Sequence, residues 1–275
     1  MDYCGEIVKA DIGITCPDND YAVFYADSDI KNFYPERRRN SHKGTYGCAN
    51  LVAGSEKYTG AAALCAAACL KSGCGYTKLT SAECVKYALT ASLPQVIFKR
   101  QPDFTANAIA IGCGSGVSRE LYNLIDNALK NYGGTLIIDA DGLNSLSEYG
   151  CGILKNAKCS VILTPHIKEF SRLTGLTTEQ ILQNPVAEAQ RFACEYGVTM
   201  LLKNAVSIIT DGKKTVLNVT GSTALAKGGS GDMLAGFMCG TVARGVAPFD
   251  AAVCAAYTFG KAAEIAAADK TDYCA

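Results

Sequence analysis

The residues best suited to chemistry lie in the glycine-rich loop Ala226-Lys-Gly-Gly-Ser-Gly-Asp232, which leads directly into an apolar helical stretch. Glycines let a backbone turn sharply and approach a ligand closely, and a helix start offers unpaired N–H groups and a positive dipole end to an anion. Asp232 could serve as a plain helix cap, but a cap does not require a glycine loop before it. We therefore predict a phosphate-binding loop in which Asp232 accepts a proton from a hydroxyl that attacks phosphorus.

A second glycine loop, Gly112-Cys-Gly-Ser-Gly116, follows a predicted strand. It lacks the third glycine of the dinucleotide fingerprint, so a tight turn and a ligand-binding wall both remain open for it. The Walker sequence Gly-x4-Gly-Lys-Ser/Thr does not occur in the chain. Any phosphate chemistry must therefore use the loop that ends at Asp232.

Histidine and carboxylate residues follow two other predicted strands. His166, in a Thr-Pro-His-x-x-Glu-Phe segment, is predicted to contact a ligand, because parallel sheets bind ligands beyond the carboxyl ends of their strands. Asp141 or Asn144 could cap a helix. Alternatively, Asp139 and Asn144 could support the site, directly or through Mg²⁺ held by nucleotide phosphates. No direct metal-binding motif is present.

The elements that must position these residues alternate between apolar strands and helical stretches. This pattern predicts an α/β protein with a mainly parallel central sheet covered by helices on both faces. We predict strands over residues 48–53, 75–79, 108–112, 135–139, 160–163, 199–202 and 207–210, and helices over 60–72, 118–131, 168–174, 185–196, 230–244 and 248–268. A further strand is predicted over residues 6–14. Residues 1–40 are predicted to be an extension that packs on a core domain of residues 41–275.

Composition narrows the function classes. Lys and Arg together number 26 and balance 26 Asp and Glu, so we expect neither a nucleic acid nor an anionic membrane surface as partner. The triplet Arg37-Arg38-Arg39 is expected to be a solvated turn. We see no export signal and no apolar run of membrane-spanning length, which predicts a soluble cytoplasmic protein. Its 14 cysteines are then expected to be reduced and mostly structural.

Taken together, the motifs resemble those of the NAD(P)H-hydrate dehydratase family, a branch of the ribokinase-like superfamily. The resemblance implies a ribokinase-like, three-layer α/β/α fold and a role in nicotinamide cofactor repair. In this reaction, ADP or ATP with Mg²⁺ phosphorylates the ring hydroxyl of hydrated NADH or NADPH, and phosphate is then eliminated. The matching segments are Lys43-Gly-Thr-Tyr-Gly47, Ala53-Gly-Ser-Glu-Lys-Tyr-Thr-Gly-Ala-Ala62, Gly112-Cys-Gly-Ser-Gly116, Asp139-Ala-Asp-Gly-Leu-Asn144, Leu163-Thr-Pro-His-Ile-Lys-Glu-Phe170 and Ala226-Lys-Gly-Gly-Ser-Gly-Asp232.

The resemblance also implies which residues bind each ligand. The hydrated dinucleotide would contact Ala61, Gly114, Gly116, His166 and Asp232. The nucleotide would contact Lys203, Asn204, Ala205, Val206, Ser207, Gly229, Ser230 and Gly231. Two departures put these nucleotide contacts in question: Asn204 stands where the family usually has glycine, and Tyr257-Thr-Phe-Gly260 lacks a histidine that often precedes the glycine.

The resemblance extends to possible partners. Residues 5–14 look like the join that follows an epimerase domain in bifunctional members, so an NAD(P)H-hydrate epimerase, fused or separate, is a possible partner. A homo-oligomer is also implied, and ADP is the first choice of phosphoryl donor.

Three alternatives remain open at this point. A ribokinase-like small-molecule kinase of the hydroxymethylpyrimidine or thiazole type would use the same loop and base, although the Thr-Pro-His-x-x-Glu-Phe segment argues against it. A nucleotide-binding regulator would not need Asp232. A dehydrogenase is disfavoured because the dinucleotide fingerprint is missing.

Overall fold

The computed structural model describes residues 22–268, and within them nine strands form a single sheet. The strand predicted over residues 6–14 lies outside the described residues. The strands are β1 (Cys48–Val52), β2 (Tyr76–Thr80), β3 (Ile97–Lys99), β4 (Ala108–Ile111), β5 (Thr135–Ile138), β6 (Ser160–Leu163), β7 (Thr199–Leu202), β8 (Ser207–Thr210) and β9 (Thr215–Asn218). The helices are α1 (Asp27–Phe33), α2 (Thr59–Lys71), α3 (Glu83–Thr90), α4 (Arg119–Asn131), α5 (Asp141–Tyr149), α6 (Ile167–Thr174), α7 (Thr178–Gln183), α8 (Pro185–Tyr196), α9 (Ser230–Ala243) and α10 (Pro248–Ala267).

The sheet has the strand order β3-β2-β1-β4-β5-β6-β7-β8-β9. Strands β1 to β7 pair in parallel, whereas β8 and β9 add an antiparallel edge. Every predicted strand and helix between residues 48 and 268 is present, with both ends within one residue of the prediction. The predicted α/β fold with a mainly parallel sheet is confirmed.

Alternating side chains of the central strands supply one hydrophobic core on each face of the sheet. In β4, Ala108 and Ala110 belong to one core, and Ile109 and Ile111 belong to the other. Neighbouring side chains of a strand point to opposite faces, and the small alanines leave room for α9, which packs against β1 and β4. This packing fixes the start of α9 beside the carboxyl ends of those strands.

Helices α2 and α9 approach each other closely at two glycines. A Cβ atom at Gly236 would overlap the carbonyl oxygen of Cys65, and one at Gly240 would overlap the hydroxyl of Ser72. Glycine allows such contact between helix backbones because it has no side chain. The two helices therefore hold their amino-terminal ends, which border the candidate site, in a fixed relation.

The segment before the core packs against β9, the strand at one side of the sheet. Val23 pairs with Val216 of β9, and the hydroxyl of Tyr257 on α10 donates to Asp27 of α1 at 2.6 Å. The domain boundary at residue 41 stays a prediction. In the described part of the chain, none of the helices combines the length and the hydropathy needed to cross a bilayer.

Candidate active site

The loops that carry the predicted site residues meet at the carboxyl ends of the parallel strands. A Cβ atom at Gly112, after β4, would overlap the backbone of Asp139 after β5. The backbone N–H of Lys203, after β7, donates to the carbonyl of Pro165, after β6, at 2.8 Å. Strand pairing therefore brings segments that are far apart in sequence together at the carboxyl-terminal end of the sheet.

An ion pair between Lys203 and Asp139 lies at the centre of this end of the sheet. The ammonium of Lys203 is 2.9 Å from Oδ1 of Asp139, whose side chain is 3% exposed. Burial opposes the charge of Lys203, but attraction to Asp139 and Glu169 outweighs it and raises the pKa of the lysine. Lys203 therefore keeps its positive charge at the carboxyl ends of the strands.

The residue after Asp139 has a strained backbone. Ala140, which also donates its N–H to Oδ1 of Asp139 at 2.9 Å, has φ 48° and ψ −115°. Among the described residues it is the only one other than glycine with a positive φ. Such strain persists only where surrounding contacts impose it, and it is concentrated at functional sites.

Asp232 lies in the first turn of α9, half-buried beside this ion pair. Burial and the negative charge of Asp139 raise the pKa of its carboxyl group, while a hydrogen bond from Cys113 and the charge of Lys203 act in the opposite direction. A raised pKa makes the carboxylate a stronger base. The side chain of Asp232 thus interacts with Cys113, Asp139 and Lys203 and is partly shielded from solvent.

The glycines before Asp232 bring the backbone over the ion pair. Gly229 has φ 91°, and a Cβ atom there would overlap the side chain of Leu64 on α2. At Gly231 a Cβ atom would lie only 3.4 Å from Nζ of Lys203 and 3.7 Å from Oδ2 of Asp139. The hydroxyl oxygen of the intervening Ser230 is buried and has no hydrogen-bond partner within residues 22–268. This arrangement suits a phosphate, because the start of the helix, the Ser230 hydroxyl and the Lys203 ammonium can all donate hydrogen bonds to its oxygens.

The predicted substrate residues form a wall on one side of the site. Gly114 has φ 62°, and a Cβ atom there would lie 2.6 Å from Cβ of Ala61 and 2.9 Å from Cβ of Tyr58. The N–H of Gly116 donates to Asp141 at 2.8 Å. The second glycine loop is therefore both a tight turn and a surface that a ligand can approach closely.

His166 caps α6. Its Nδ1 accepts a hydrogen bond from the backbone N–H of Glu169 at 3.1 Å, and the backbone N–H of His166 donates to the Glu169 carboxylate at 2.8 Å. Its backbone also pairs with Lys203, and its side chain is 49% exposed. The histidine is thus held rigidly at the edge with one face open, and its contact with a ligand stays a prediction.

The turn between β7 and β8 carries the rest of the predicted nucleotide-binding residues. Asn204, Ala205 and Val206 are exposed, and Ser207 is half-buried. The Asn204 side chain accepts from the N–H of Ala205 at 2.9 Å, and the Ser207 hydroxyl donates to the carbonyl of Asn204 at 3.2 Å. Asn204 therefore closes its own turn by a local hydrogen bond.

Two findings were not anticipated from the sequence. The predicted support residue Asn144 accepts a hydrogen bond from Arg172 at 2.8 Å, which joins α5 to α6. Cys113, one of the cysteines that the sequence predicts to be structural, lies against the carboxyl group of Asp232. Its position between two glycines of a ligand-wall loop was the available signal.

A mainly parallel α/β sheet with an aspartate at a glycine-rich helix start defines a ribokinase-like protein. A family model described as NAD(P)H-hydrate dehydratase matches residues 49–275, and the chain belongs to that family.

Individual relatives agree with this assignment. The chain is 31% identical to an ADP-dependent (S)-NAD(P)H-hydrate dehydratase of Cenarchaeum symbiosum, covering 89% of this chain and 90% of the relative. It is 32% identical to a bifunctional NAD(P)H-hydrate repair enzyme of Pyrobaculum aerophilum over 97% of this chain, but spans only 55% of that relative. It thus spans about half the length of such bifunctional relatives.

Solved structures give the same result. An ADP/ATP-dependent NAD(P)H-hydrate dehydratase from Bacillus subtilis, co-crystallized with ATP/Mg2+, matches with a TM-score of 0.83 and 31% identity over 91% of each chain. A hydroxyethylthiazole kinase from Pyrococcus horikoshii matches at a TM-score of 0.59 and 18% identity, which shows a shared fold only. The alternative kinase type is therefore a distant neighbour.

Proposed function

We propose that this chain repairs nicotinamide cofactors by the nucleotide-dependent dehydration of hydrated NADH or NADPH. The observation that carries the proposal is the position of Asp232: at the start of α9, half-buried, beside the Asp139–Lys203 ion pair and next to a glycine loop. The names of the Cenarchaeum symbiosum and Bacillus subtilis relatives support this reaction and its ADP or ATP donor.

In the first chemical step, Asp232 accepts the proton of the ring hydroxyl while the hydroxyl oxygen attacks the terminal phosphorus of ADP or ATP. The raised pKa of Asp232 favours this proton transfer. The N–H groups at Gly229, Ser230 and Gly231, together with the ammonium of Lys203, stabilise negative charge on the moving phosphoryl group. Phosphate then leaves with the former hydroxyl oxygen, and loss of a proton from the neighbouring ring carbon restores the double bond.

We also propose Mg²⁺ as the partner of the nucleotide. No group of three or more His, Cys, Asp or Glu residues in the described ranges is arranged to hold a metal ion, so nucleotide phosphates would supply most ligands, as Mg²⁺ often requires. Lys203 binds Oδ1 of Asp139, and Oδ2 lies on the side of Gly231. That oxygen is of the type Mg²⁺ prefers, and the bound ion would neutralise charge on the phosphates.

The test is Asp232→Asn, assayed with hydrated NADH or NADPH and ADP or ATP. Recovery of nicotinamide absorbance should fall by about 10³-fold, because a positioned base contributes 10²–10⁴-fold, while nucleotide affinity measured by calorimetry stays near that of the wild type. Asp250→Asn is the matched control. Asp250 is also half-buried with a raised pKa, but its charged neighbour is Lys214. Normal turnover in Asp232→Asn would exclude Asp232 as the base.

The same assay separates the dehydratase from a kinase that keeps phosphate on its product. A kinase would consume nucleotide without restoring absorbance, and that outcome would overturn the proposal.

The partner and location predictions are also proposals. The bifunctional relatives support an association with an NAD(P)H-hydrate epimerase, fused or separate. We further propose a homo-oligomer that acts in the cytoplasm; light scattering on the purified protein tests the first and fractionation of the source cells the second.

A further inference from the structure

A cavity of about 450 Å³ opens at the amino ends of the parallel strands, on the edge opposite to the candidate active site. Its lining includes the basic residues Arg37, Arg38, His42 and Lys43, and also Cys74 from the loop between α2 and β2. The arginine triplet is exposed, and two of its members, Arg37 and Arg38, border this cavity. The cavity therefore combines concentrated positive charge with a thiol.

Packing and backbone contacts hold two basic side chains at this place, Arg37 and Arg244. Arg37 stacks 3.9 Å over the ring of Tyr46, and Arg244 donates to the carbonyl of Ser72 at 2.7 Å. Both guanidinium groups lie beside Gly73. A Cβ atom at Gly73 would be 3.0 Å from the guanidinium of Arg37 and 3.6 Å from that of Arg244. Packing thus holds two like charges close together.

None of the salt bridges within residues 22–268 involves Arg37, Arg38, Lys43 or Arg244. The Nε atom of Arg244 is buried with no hydrogen-bond partner in the same part of the chain. Of these residues, Arg37, Arg38 and Lys43 line the cavity, and cations without a carboxylate partner in the described part of the chain attract anionic ligands from solution. The cavity is therefore suited to a small molecule that carries carboxylate groups.

Cys74 is one member of a pair of thiols. Its Sγ lies 3.7 Å from Sγ of Cys69, which is fully buried in the last turn of α2. The hydroxyl of Thr77 is 3.4 Å from each sulfur. The hydrogen bond with Cys69 lowers the pKa of Cys74 to about 6, against the effect of burial and with help from Thr77, Ser72 and Arg244. The pKa of Cys69 is raised, so Cys74 is the member of the pair that ionises first.

We infer that Cys74 is a reactive thiol site whose basic cavity binds small disulfides that carry carboxylates. The Cys74 thiolate attacks one sulfur of the bound disulfide, which forms a mixed disulfide and releases the other half as a thiolate. The Cys69 thiol then loses its proton and attacks Sγ of Cys74. A Cys69–Cys74 disulfide forms, and the second half leaves and takes up the proton. Two protein thiols are oxidised and one small disulfide is reduced.

The first experiment treats the native protein at pH 7 with oxidised glutathione and maps the modified cysteines by peptide mass spectrometry. We expect modification at Cys74 first, ending in a Cys69–Cys74 disulfide. Cys69→Ser should trap the glutathionyl group on Cys74, and Cys74→Ser should abolish both products. Cys84 and Cys194 are internal controls because both are exposed. If they react as fast as Cys74, exposure alone governs reactivity and the inference is wrong.

The second experiment tests the role of charge. Arg38→Gln combined with Lys43→Gln should slow the reaction of Cys74 with oxidised glutathione on the order of tenfold, as expected for loss of electrostatic attraction. The reaction with the uncharged bis(2-hydroxyethyl) disulfide should change by less than about twofold. Circular dichroism checks that the variant is folded. Equal slowing with both reagents, or no slowing with either, would exclude the cavity as the anion-binding element.

Discussion

At Asp232, opposing influences act on a single carboxyl group. Burial and the charge of Asp139 favour its neutral form, whereas Cys113 and Lys203 favour the carboxylate; the net effect is a raised pKa. A base benefits from this, since proton transfer improves as its pKa approaches the working pH. The stability of the fold does not benefit. As pH rises from the ordinary carboxyl pKa through the raised pKa of Asp232, ionisation of its carboxyl group lowers the free energy of unfolding.

Replacing Asp232 with Asn should therefore stabilise the protein even as it removes activity. At pH 7 we expect the Tm to rise on the order of 2 °C, because the variant has no carboxylate to desolvate beside Asp139. The gain should shrink as pH falls from the raised pKa to the ordinary carboxyl pKa, and it should vanish below the ordinary pKa, where the wild-type group is protonated in both the folded and the unfolded state. Thermal unfolding at several pH values measures this, and a lower Tm for the variant at pH 7 would contradict it.

Residue types and local spacing were sufficient to single out Asp232 and His166 from the sequence, whereas Lys203 was implied only by the family resemblance. They were not sufficient to find the contact between Cys113 and Asp232 or the pair of Lys203 with Asp139. Those contacts depend on which loops the sheet brings together, and the two residues of the ion pair are 64 positions apart. Local patterns carry no information over that distance.

At the scale of elements, Asp103 joins β1, β2 and β3, which are the three strands at one side of the sheet. Its N–H donates to the Asn50 side chain of β1 at 2.5 Å, and its carboxylate lies 2.7 Å from Nζ of Lys78 on β2. Lys99, at the end of β3, is 3.8 Å away. The hydrogen bond from Lys78 is the largest of the contacts that hold the pKa of Asp103 well below its usual range.

Asp103→Asn should destabilise this side of the sheet. We expect a loss of about 1–2 kcal/mol at pH 7, because the side chain of Asp103 is only 12% exposed and Lys78 loses its partner. The contribution exists above the ordinary carboxyl pKa and disappears as pH falls through the lowered one, so the difference should narrow in acid. Urea unfolding at pH 7 and pH 3 measures both effects.

Glu195→Gln is the control for Asp103→Asn. Glu195 also pairs with a lysine, Lys155, at 3.0 Å, but both side chains are exposed, and such pairs contribute less than about 1 kcal/mol. Equal losses in the two variants would mean that Asp103 has no special role.

The sequence predicted the longer elements accurately because their apolar patterns are continuous. It missed five short elements, which are α1, α3, α5, α7 and β3. Strand β3 has only three residues, and its Ile97 is 40% exposed. The sequence also missed β9, although Asp211-Gly212 before it is a recognised hairpin signal. Short edge elements bury too little apolar surface to leave a clear pattern.

At the scale of the whole molecule, parallel pairing brings the loops of the candidate site together at the carboxyl ends of the strands. The basic cavity forms at the amino ends of the same strands. The sequence could predict the first result from the general rule for parallel sheets. It could not predict the second, because Arg244 and Cys74 are 170 positions apart and only the packing of α9 against α2 brings them together.

Nucleotide binding should stabilise the whole fold by mass action. At a hundredfold excess over Kd, ADP or Mg²⁺–ATP should add about 2.7 kcal/mol, which for a chain of this size is a rise in Tm of roughly 5–10 °C. Asp232→Asn should keep this rise, since its proposed role is in chemistry. Lys203→Met should lose most of it, because the fixed positive charge beside Gly231 is gone.

Lys203→Met also leaves Asp139 buried without its partner, which by itself costs about 3–5 kcal/mol. The control is therefore Lys203→Met combined with Asp139→Asn, which removes the unpaired charge and should recover much of the basal Tm. The ligand-induced shift is compared within each variant, so the basal difference cancels. A wild-type shift in the double variant would exclude Lys203 as a nucleotide-binding residue. A small shift with ADP there, together with a full shift in both Asp139→Asn and Asp232→Asn, would separate the residue that binds the phosphates from the residue that moves the proton.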